Sequence, residues 1–170
     1  MEKPINSLTF VENELEWTES RFRLFRRRQE IKVRAPIHEI YIDGLPLLAL
    51  IEPSEADDPN RRIPLPWSDQ SEMFLEQLKE LLGGPVPADR NGRAWLLYCQ
   101  CGDPGCGGLS TRISITDKTV TWSDLGWDDI FGTPTEPVEI DRTFVFERAE
   151  YEKALHALTR QFSGTSDHKL

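Results

Sequence analysis

The chain lacks any apolar run long enough to cross a bilayer, which takes about 20 residues. One of its longest apolar stretches covers only residues 47–51. Residues 1–6 show no basic region followed by an apolar core, so we expect no signal peptide and a cytoplasmic location. Thiols stay reduced there, and an odd count of three cysteines also disfavours a disulfide framework. We therefore expect no membrane partner.

Recognisable catalytic patterns are also missing. The sequence contains no Ser/His/Asp set, no glycine-rich phosphate loop and no two-histidine metalloprotease helix. Its net charge of −9 disfavours binding to nucleic acid, because phosphates would be repelled. The part of the chain after residue 34 is strongly acidic and suits a basic protein partner. The basic residues concentrate in segment 21–34, which suits an acidic partner or contact with the chain's own acidic surface.

The composition is that of a folded protein, with 38% hydrophobic residues, five Trp and eight Phe. The length of 170 residues suits one domain. We predict a single α+β domain over residues 1–170. An alternative division gives a β-rich N-terminal subdomain, residues 1–52, joined by the loop 52–66, which is rich in Pro, Asp, Glu and Ser.

The first half of the chain predicts strands and then a helix. Residues 8–34 alternate in the manner of strands, although a helical count over the same segment competes. Two apolar runs, residues 39–42 and 45–51, flank Asp43-Gly44, a pair favoured in two-residue hairpin turns. Residues 68–82 carry an apolar stripe at helical spacing and end at Gly83-Gly84-Pro85.

The second half predicts a three-stranded meander. Its strands cover residues 93–101, 109–115 and 119–122, with a turn at Asp117-Lys118. A further strand over 142–147 precedes a helix over 148–162. The predicted fold class is therefore α+β, with an antiparallel sheet of meander and hairpins packed against two main helices.

All three cysteines fall within a ten-residue segment, residues 99–108. Cys99 and Cys101 are two apart on a predicted strand, so both side chains should leave the same face. Residues 103–106 read Asp-Pro-Gly-Cys, a β-turn sequence that folds Cys106 back beside Cys101. The sequence thus predicts that the three thiols converge.

Three interpretations of this segment stay open. The first interpretation is a zinc site with three cysteine ligands, Cys99, Cys101 and Cys106. A distant residue would supply the fourth ligand: His38, His156, Asp103 or Asp124. Alternatively, Cys106 is a reactive thiol and Cys101 or Cys99 resolves it. The third interpretation is a packed turn. The acidic set of Asp124, Asp128 and Asp129 is expected to be a solvated loop rather than a cation site.

Residues 97–113, LYCQCGDPGCGGLSTRI, resemble a family of uncharacterised bacterial proteins in which a Cys-Gly-Asp-x-Gly-Cys-Gly turn precedes a strand. Residues 120–124 and 144–151 are similar to the downstream blocks of that family. The resemblance covers about residues 93–160 and does not reach residues 1–38. It implies a bacterial origin and a shared Cys hairpin, and it transfers no catalytic residue.

These observations predict a small acidic cytoplasmic bacterial protein of binding or interaction type rather than an enzyme. Its Cys hairpin would be a structural element, and under the first interpretation it would also hold zinc. The alternative function is a thiol-based enzyme or redox sensor that uses Cys106, with Cys101 or Cys99 as the resolving thiol.

Overall fold

A computed structural model describes residues 5–21, 29–58, 62–64, 71–100, 103–129 and 134–163. Two sheets and three helices make up the fold. The strands are β1 (Leu8–Arg21), β2 (Gln29–Ile42), β3 (Leu45–Pro46), β4 (Ala94–Tyr98), β5 (Gly108–Ile115), β6 (Thr119–Asp128), β7 (Glu136–Pro137) and β8 (Phe144–Glu147). The helices are α1 (Leu47–Ile51), α2 (Ser71–Leu81) and α3 (Arg148–Ser163).

The first sheet has the order β1-β2-β3 and is antiparallel throughout. β1 and β2 pair along their full length, from Leu8 opposite Ile42 to Arg21 opposite Gln29. The strand prediction for residues 8–34 is confirmed where the chain is described, and the competing helical count is wrong. Residues 22–28 of that prediction lie outside the described residues.

The turn at Asp43-Gly44 is confirmed, because both residues adopt the positive φ that this turn type requires, +52° and +79°. The second apolar run, however, does not continue as a strand. β3 ends at Pro46 and α1 follows directly. The buried residues of α1 are Leu47, Leu48 and Ile51. This spacing places them on one helical face. Composition alone does not show whether a five-residue apolar run forms a helix or a buried strand.

The second sheet has the order β4-β5-β6-β7, with β8 also paired to β6. It contains the predicted meander. β4 ends at Tyr98, three residues before the predicted end of that strand, so Cys99 follows the strand. The register shifts once between β4 and β5 and once between β5 and β6. The second shift positions the site described below.

The two longer helices, α2 and α3, pack against each other and against both sheets. The Tyr151 hydroxyl of α3 donates to the Leu81 carbonyl of α2 over 2.8 Å and accepts from the Trp122 indole of β6 over 3.0 Å. These contacts lie in the buried core and confirm the α+β class. Residues 68–70 of the predicted first helix lie outside the described residues. None of the described helices combines the length and apolar character needed to span a membrane.

Candidate functional site

An Asn91-Gly92 turn precedes β4 and places two arginines at its ends. The Arg93 amide donates to the Arg90 carbonyl over 2.9 Å, and the two central residues have φ of +50° and +72°. Asn and Gly tolerate this left-handed backbone better than other residues. The turn therefore fixes where Arg90 and Arg93 leave the backbone.

Arg93 is the centre of a buried ion cluster. Its side chain is only 3% exposed, yet its guanidinium contacts Asp124, Asp128 and Ser110. Nε donates to Ser110 Oγ over 2.8 Å and to Asp128 Oδ2 over 3.0 Å, and Nη1 donates to Asp124 Oδ2 over 2.7 Å. Nη2 donates to the carbonyls of Ser110 and Asp124. All three nitrogens of this arginine thus have acceptors, as a buried charge requires.

A bulge in β6 brings Asp124 to this arginine. Ser110 lies opposite Gly126 while Arg112 lies opposite Ser123, so β6 has one extra residue in this interval. Asp124 adopts a positive φ of +54° there, and both its carboxylate and its carbonyl reach Arg93. Gly126 leaves room beside them, since a Cβ there would lie 3.3 Å from the guanidinium and 2.8 Å from the Glu136 carbonyl.

The expectation of a solvated acidic loop is wrong for Asp124 and Asp128 in its secondary structure, although the Asp124 side chain is 58% exposed and therefore solvated. Both lie in β6 and bind Arg93, and the side chain of Asp128 is only 12% exposed. Asp129 follows the strand and is partly buried. Sequence reasoning missed Arg93, because its partners are 31 and 35 positions away and no local pattern joins them. The Asn-Gly pair was the signal that could have marked the turn.

The Cys turn, residues 103–107, lies against the end of β6. The Cys106 amide donates to the Asp103 carbonyl over 3.0 Å, and the Gly105 amide donates to Asp103 Oδ1 over 2.8 Å. These bonds confirm the predicted turn. Gly107 has a φ of +75°, and a Cβ on it would lie 2.6 Å from the Asp128 carbonyl. The turn is therefore packed directly on a strand that the Arg93 cluster holds.

The three cysteines are only partly described. Cys99 is partly buried and Cys106 is exposed, whereas Cys101 lies outside the described residues. Within the described part of the chain, no group of three or more His, Cys, Asp and Glu side chains is arranged to hold a metal ion. A zinc site at Cys99, Cys101 and Cys106 includes a residue beyond that part and stays a prediction.

The residues considered as a fourth ligand have separate positions. His38 lies within β2 and is buried against Phe74 and Phe162, whose ring centroids are 6.3 Å and 5.2 Å from that of His38. Burial lowers the pKa of His38, and nearby Glu12 opposes this effect. His156 is exposed on α3, Asp103 accepts a hydrogen bond within the Cys turn, and Asp124 binds Arg93.

The basic segment 21–34 is described at residues 21 and 29–34. Lys32 and Arg34 of β2 form ion pairs with Glu16 of β1 at 2.9 Å and 2.8 Å, and Arg34 also approaches Glu14 at 3.5 Å. These bonds lower the pKa of Glu16, the hydrogen bond from Lys32 contributing most. Two of the basic side chains thus contact acidic residues of the same hairpin, one of the arrangements that the sequence suggested.

Comparison of the chain with protein-family models, with curated proteins and with solved structures gives no match. The resemblance of residues 93–160 to a bacterial family with a Cys hairpin therefore stays a prediction.

Proposed function

We propose that the protein works by binding a basic protein partner through the end of the second sheet that carries the Cys turn. We call this surface the turn end and define it by Asp103, Cys106, Asp129 and Glu136. The observation that supports it most is the anchoring of the Cys turn. Gly107 packs on the Asp128 backbone, and the Asp128 carboxylate binds buried Arg93. Such support favours a rigid recognition element over a mobile loop.

The charges at this end favour a basic partner. Glu136 lies opposite Trp127 in the β6–β7 pairing, one position from the end of β6, and is exposed. Asp103 is exposed on the turn itself. Two described cations lie near this end: Arg93 is buried and bound to two carboxylates, and Arg62 lies over the Trp127 ring and forms an ion pair with Glu55. Both cations are thus already paired with carboxylates. Acidic groups on a rigid surface accelerate association with a positively charged protein, and they select against acidic proteins by repulsion.

Affinity capture from the source cells, followed by binding measurements on the purified partner, tests this proposal. The test variant combines Asp103→Asn, which keeps the acceptor for the Gly105 amide, with Glu136→Lys. The matched control combines Asp117→Asn with Glu147→Lys, because both residues are exposed and lie at the opposite end of the second sheet, where Asp117 joins β5 to β6 and Glu147 pairs with Thr119. Both variants change the net charge by the same amount.

We expect the captured partner to be basic and the turn-end variant to weaken binding by about tenfold or more at low salt, with the difference shrinking as salt screens the charges. The control should bind within about twofold of the original chain. Equal binding by both variants, or an acidic partner, would contradict the proposal.

A thiol-based enzyme or redox sensor is the second candidate, and the exposure of Cys106 favours it. The test is the rate of iodoacetamide alkylation at Cys106 against pH. A reactive thiol would be modified well below pH 8.5, the approximate pKa of an unperturbed cysteine. Alkylation only after unfolding would eliminate this candidate. Intact mass under native conditions would report bound zinc in the same preparation.

A further inference from the structure

His38 occupies a position of β2 at which the alternation of the strand calls for an apolar side chain. Ile42 and Ile40 lie on the same face as His38, because side chains two apart in a strand point to the same side. Both isoleucines are 3% exposed or less, and His38 continues the series at 6%. Pro36, the next position on that face, is exposed. A titratable group therefore ends the buried face of the β1–β2 pair, and the proposed function does not use it.

The His38 ring joins three elements of the fold through aromatic contacts. Its centroid lies 5.2 Å from that of Phe162 in α3 and 6.3 Å from that of Phe74 in α2, and the centroids of the two phenylalanines are 4.7 Å apart. Phe162 is the last residue but one of α3, which ends at Ser163. The three rings thus hold the last turn of α3 against β2 and α2.

The His38 imidazole lacks the acceptors that its charged form needs. Nδ1 is buried and has no hydrogen-bond partner within the described part of the chain. Nε2 lies 3.7 Å from Glu12 Oε2, too far for a hydrogen bond, and the Glu12 side chain is 65% exposed, so water screens its charge. A protonated histidine carries two N–H donors and a positive charge. A buried cation with an unsatisfied donor is costly, so protonation favours a structure in which water reaches Nδ1.

The charged groups around His38 do not remove this cost. Glu12 lies directly opposite His38 in the register of β1 and β2, and Glu39, the next residue of β2, points to the other face. α2 and α3 present the rings of Phe74 and Phe162 to it. Burial lowers the pKa of His38, and among the described charges Glu12 alone raises it. The other charged residues within two positions of these contacts are exposed: Glu14, Glu72, Glu76 and Arg160.

Phe162 is the contact that yields most easily. It is only partly buried and lies at the end of a helix, where local opening costs little free energy. Phe74, in contrast, is 2% exposed and belongs to the core. Movement of the last turn of α3 therefore admits water to Nδ1 and leaves α2 in place.

We propose that protonation of His38 releases the last turn of α3, residues 160–163, from β2 and α2, so that the end of this helix is docked at neutral pH and free in mild acid. Because burial lowers the pKa of His38 below its ordinary 6.5, the docked form binds the proton less tightly than the released form. The contact is at full strength above pH 6.5 and weakens as the pH falls through the pKa of the docked form.

NMR spectroscopy of the isotope-labelled protein from about pH 7.5 to about pH 5 tests the proposal. The ring carbons of His38 report its protonation, and the nuclear Overhauser effect between the Phe162 and Phe74 rings reports the docked turn. The same effect between Trp122 and Phe146, whose ring centroids are 5.0 Å apart in the core, reports unfolding of the whole chain.

Two variants remove the titrating group in different ways. His38→Phe keeps an aromatic ring at this position, and His38→Gln keeps a polar side chain that stays neutral over this range of pH. His156→Gln is the matched control, because His156 is exposed on the same helix.

We expect His38 to titrate below 6.5 and the Phe162–Phe74 effect to be lost at the same midpoint, while the Trp122–Phe146 effect persists. Neither His38 variant should lose a ring contact as the pH falls, and His156→Gln should respond as the original chain does. The proposal would be overturned by a Phe162–Phe74 contact that survives protonation of His38, by the same loss in the His38 variants, or by a His38 midpoint above 6.5. Simultaneous loss of both ring contacts would also overturn it, because the whole fold would then be opening.

Discussion

Arg90 and Arg93 stand at the two ends of one Asn-Gly turn, yet they enter clusters of different kinds. The Arg93 cluster is closed, because its guanidinium and its carboxylate partners are bonded to one another and to the backbone. The Arg90 cluster, in which Arg90 Nη1 donates to both carboxylate oxygens of Glu80 over 3.1 Å, is open, because Oε1 of neighbouring Gln77 is buried and has no hydrogen-bond partner within the described residues. A closed polar cluster stabilises a fold more than one that leaves a buried acceptor unsatisfied.

The difference follows from what surrounds each arginine. Arg93 faces β5 and β6, where strand pairing and a bulge deliver two carboxylates and two carbonyls. Arg90 binds Glu80 of α2 and lies over the Trp95 ring of β4, and its side chain is 19% exposed against 3% for Arg93. Secondary-structure pairing thus satisfies one arginine fully and leaves space beside the other.

The largest effect should come from Arg93→Ala. Asp128 would stay buried without its cation, and breaking a buried pair in this way costs about 3–5 kcal/mol of the free energy of unfolding. Denaturant titration measures it. Arg112→Ala is the control, because Arg112 binds the same Asp124 but its side chain is 53% exposed, so we expect about 0–1 kcal/mol. Similar losses for the two variants would mean that the cluster is not closed.

A smaller loss should follow Gly107→Ala, which tests the anchoring of the Cys turn to the closed cluster. The added Cβ would meet the Asp128 carbonyl at 2.6 Å in a left-handed backbone. We expect more than about 2 kcal/mol of destabilisation, beyond the roughly 1 kcal/mol of the conformational penalty alone. Gly44→Ala isolates that penalty, since Gly44 has a similar φ of +79° but open space around it. Equal effects at both glycines would show that the turn does not depend on this contact.

The smallest effect should be at Glu80 in the open cluster. Because burial raises the folded-state pKa of Glu80 above its ordinary 4.5, the folded protein holds this proton more tightly than the unfolded chain. The stabilising contribution is present below pH 4.5 and is lost as pH rises through the folded pKa. Relative to Glu80→Gln, the original chain should therefore gain stability on acidification from pH 7, by less than the loss expected for Gly107→Ala. Parallel stability curves for the two proteins would contradict this.

Much of the fold could be predicted from local signals. Asp43-Gly44 marks a hairpin because few other residues accept two successive positive φ values, and the stripe around Phe74 and Leu78 marks α2 because it repeats at the helical period. Residues 47–51 could not be assigned in this way. A short apolar run without polar neighbours has no period, so tertiary packing decided between strand and helix.

The candidate sites were less predictable, because they depend on residues that are distant in sequence. Arg93 reads as a charged residue before a strand, and only the register of β5 against β6 brings Asp124 and Asp128 to it. The sequence does not show which end of the Gln77 amide lacks a partner. That depends on β4, because the Trp95 carbonyl accepts from Nε2 and thereby fixes the orientation of the amide. The turn at residues 103–106 was predicted correctly, since its residues determine it locally.

One measurement tests the contrast between the two clusters directly: denaturant titration of Arg93→Ala beside Arg90→Ala. We expect Arg93→Ala to lower the free energy of unfolding clearly more than Arg90→Ala, because the Arg93 side chain is 3% exposed and bound to two carboxylates, whereas that of Arg90 is 19% exposed and bound to one. Equal losses for the two variants, or a larger loss for Arg90→Ala, would contradict this contrast.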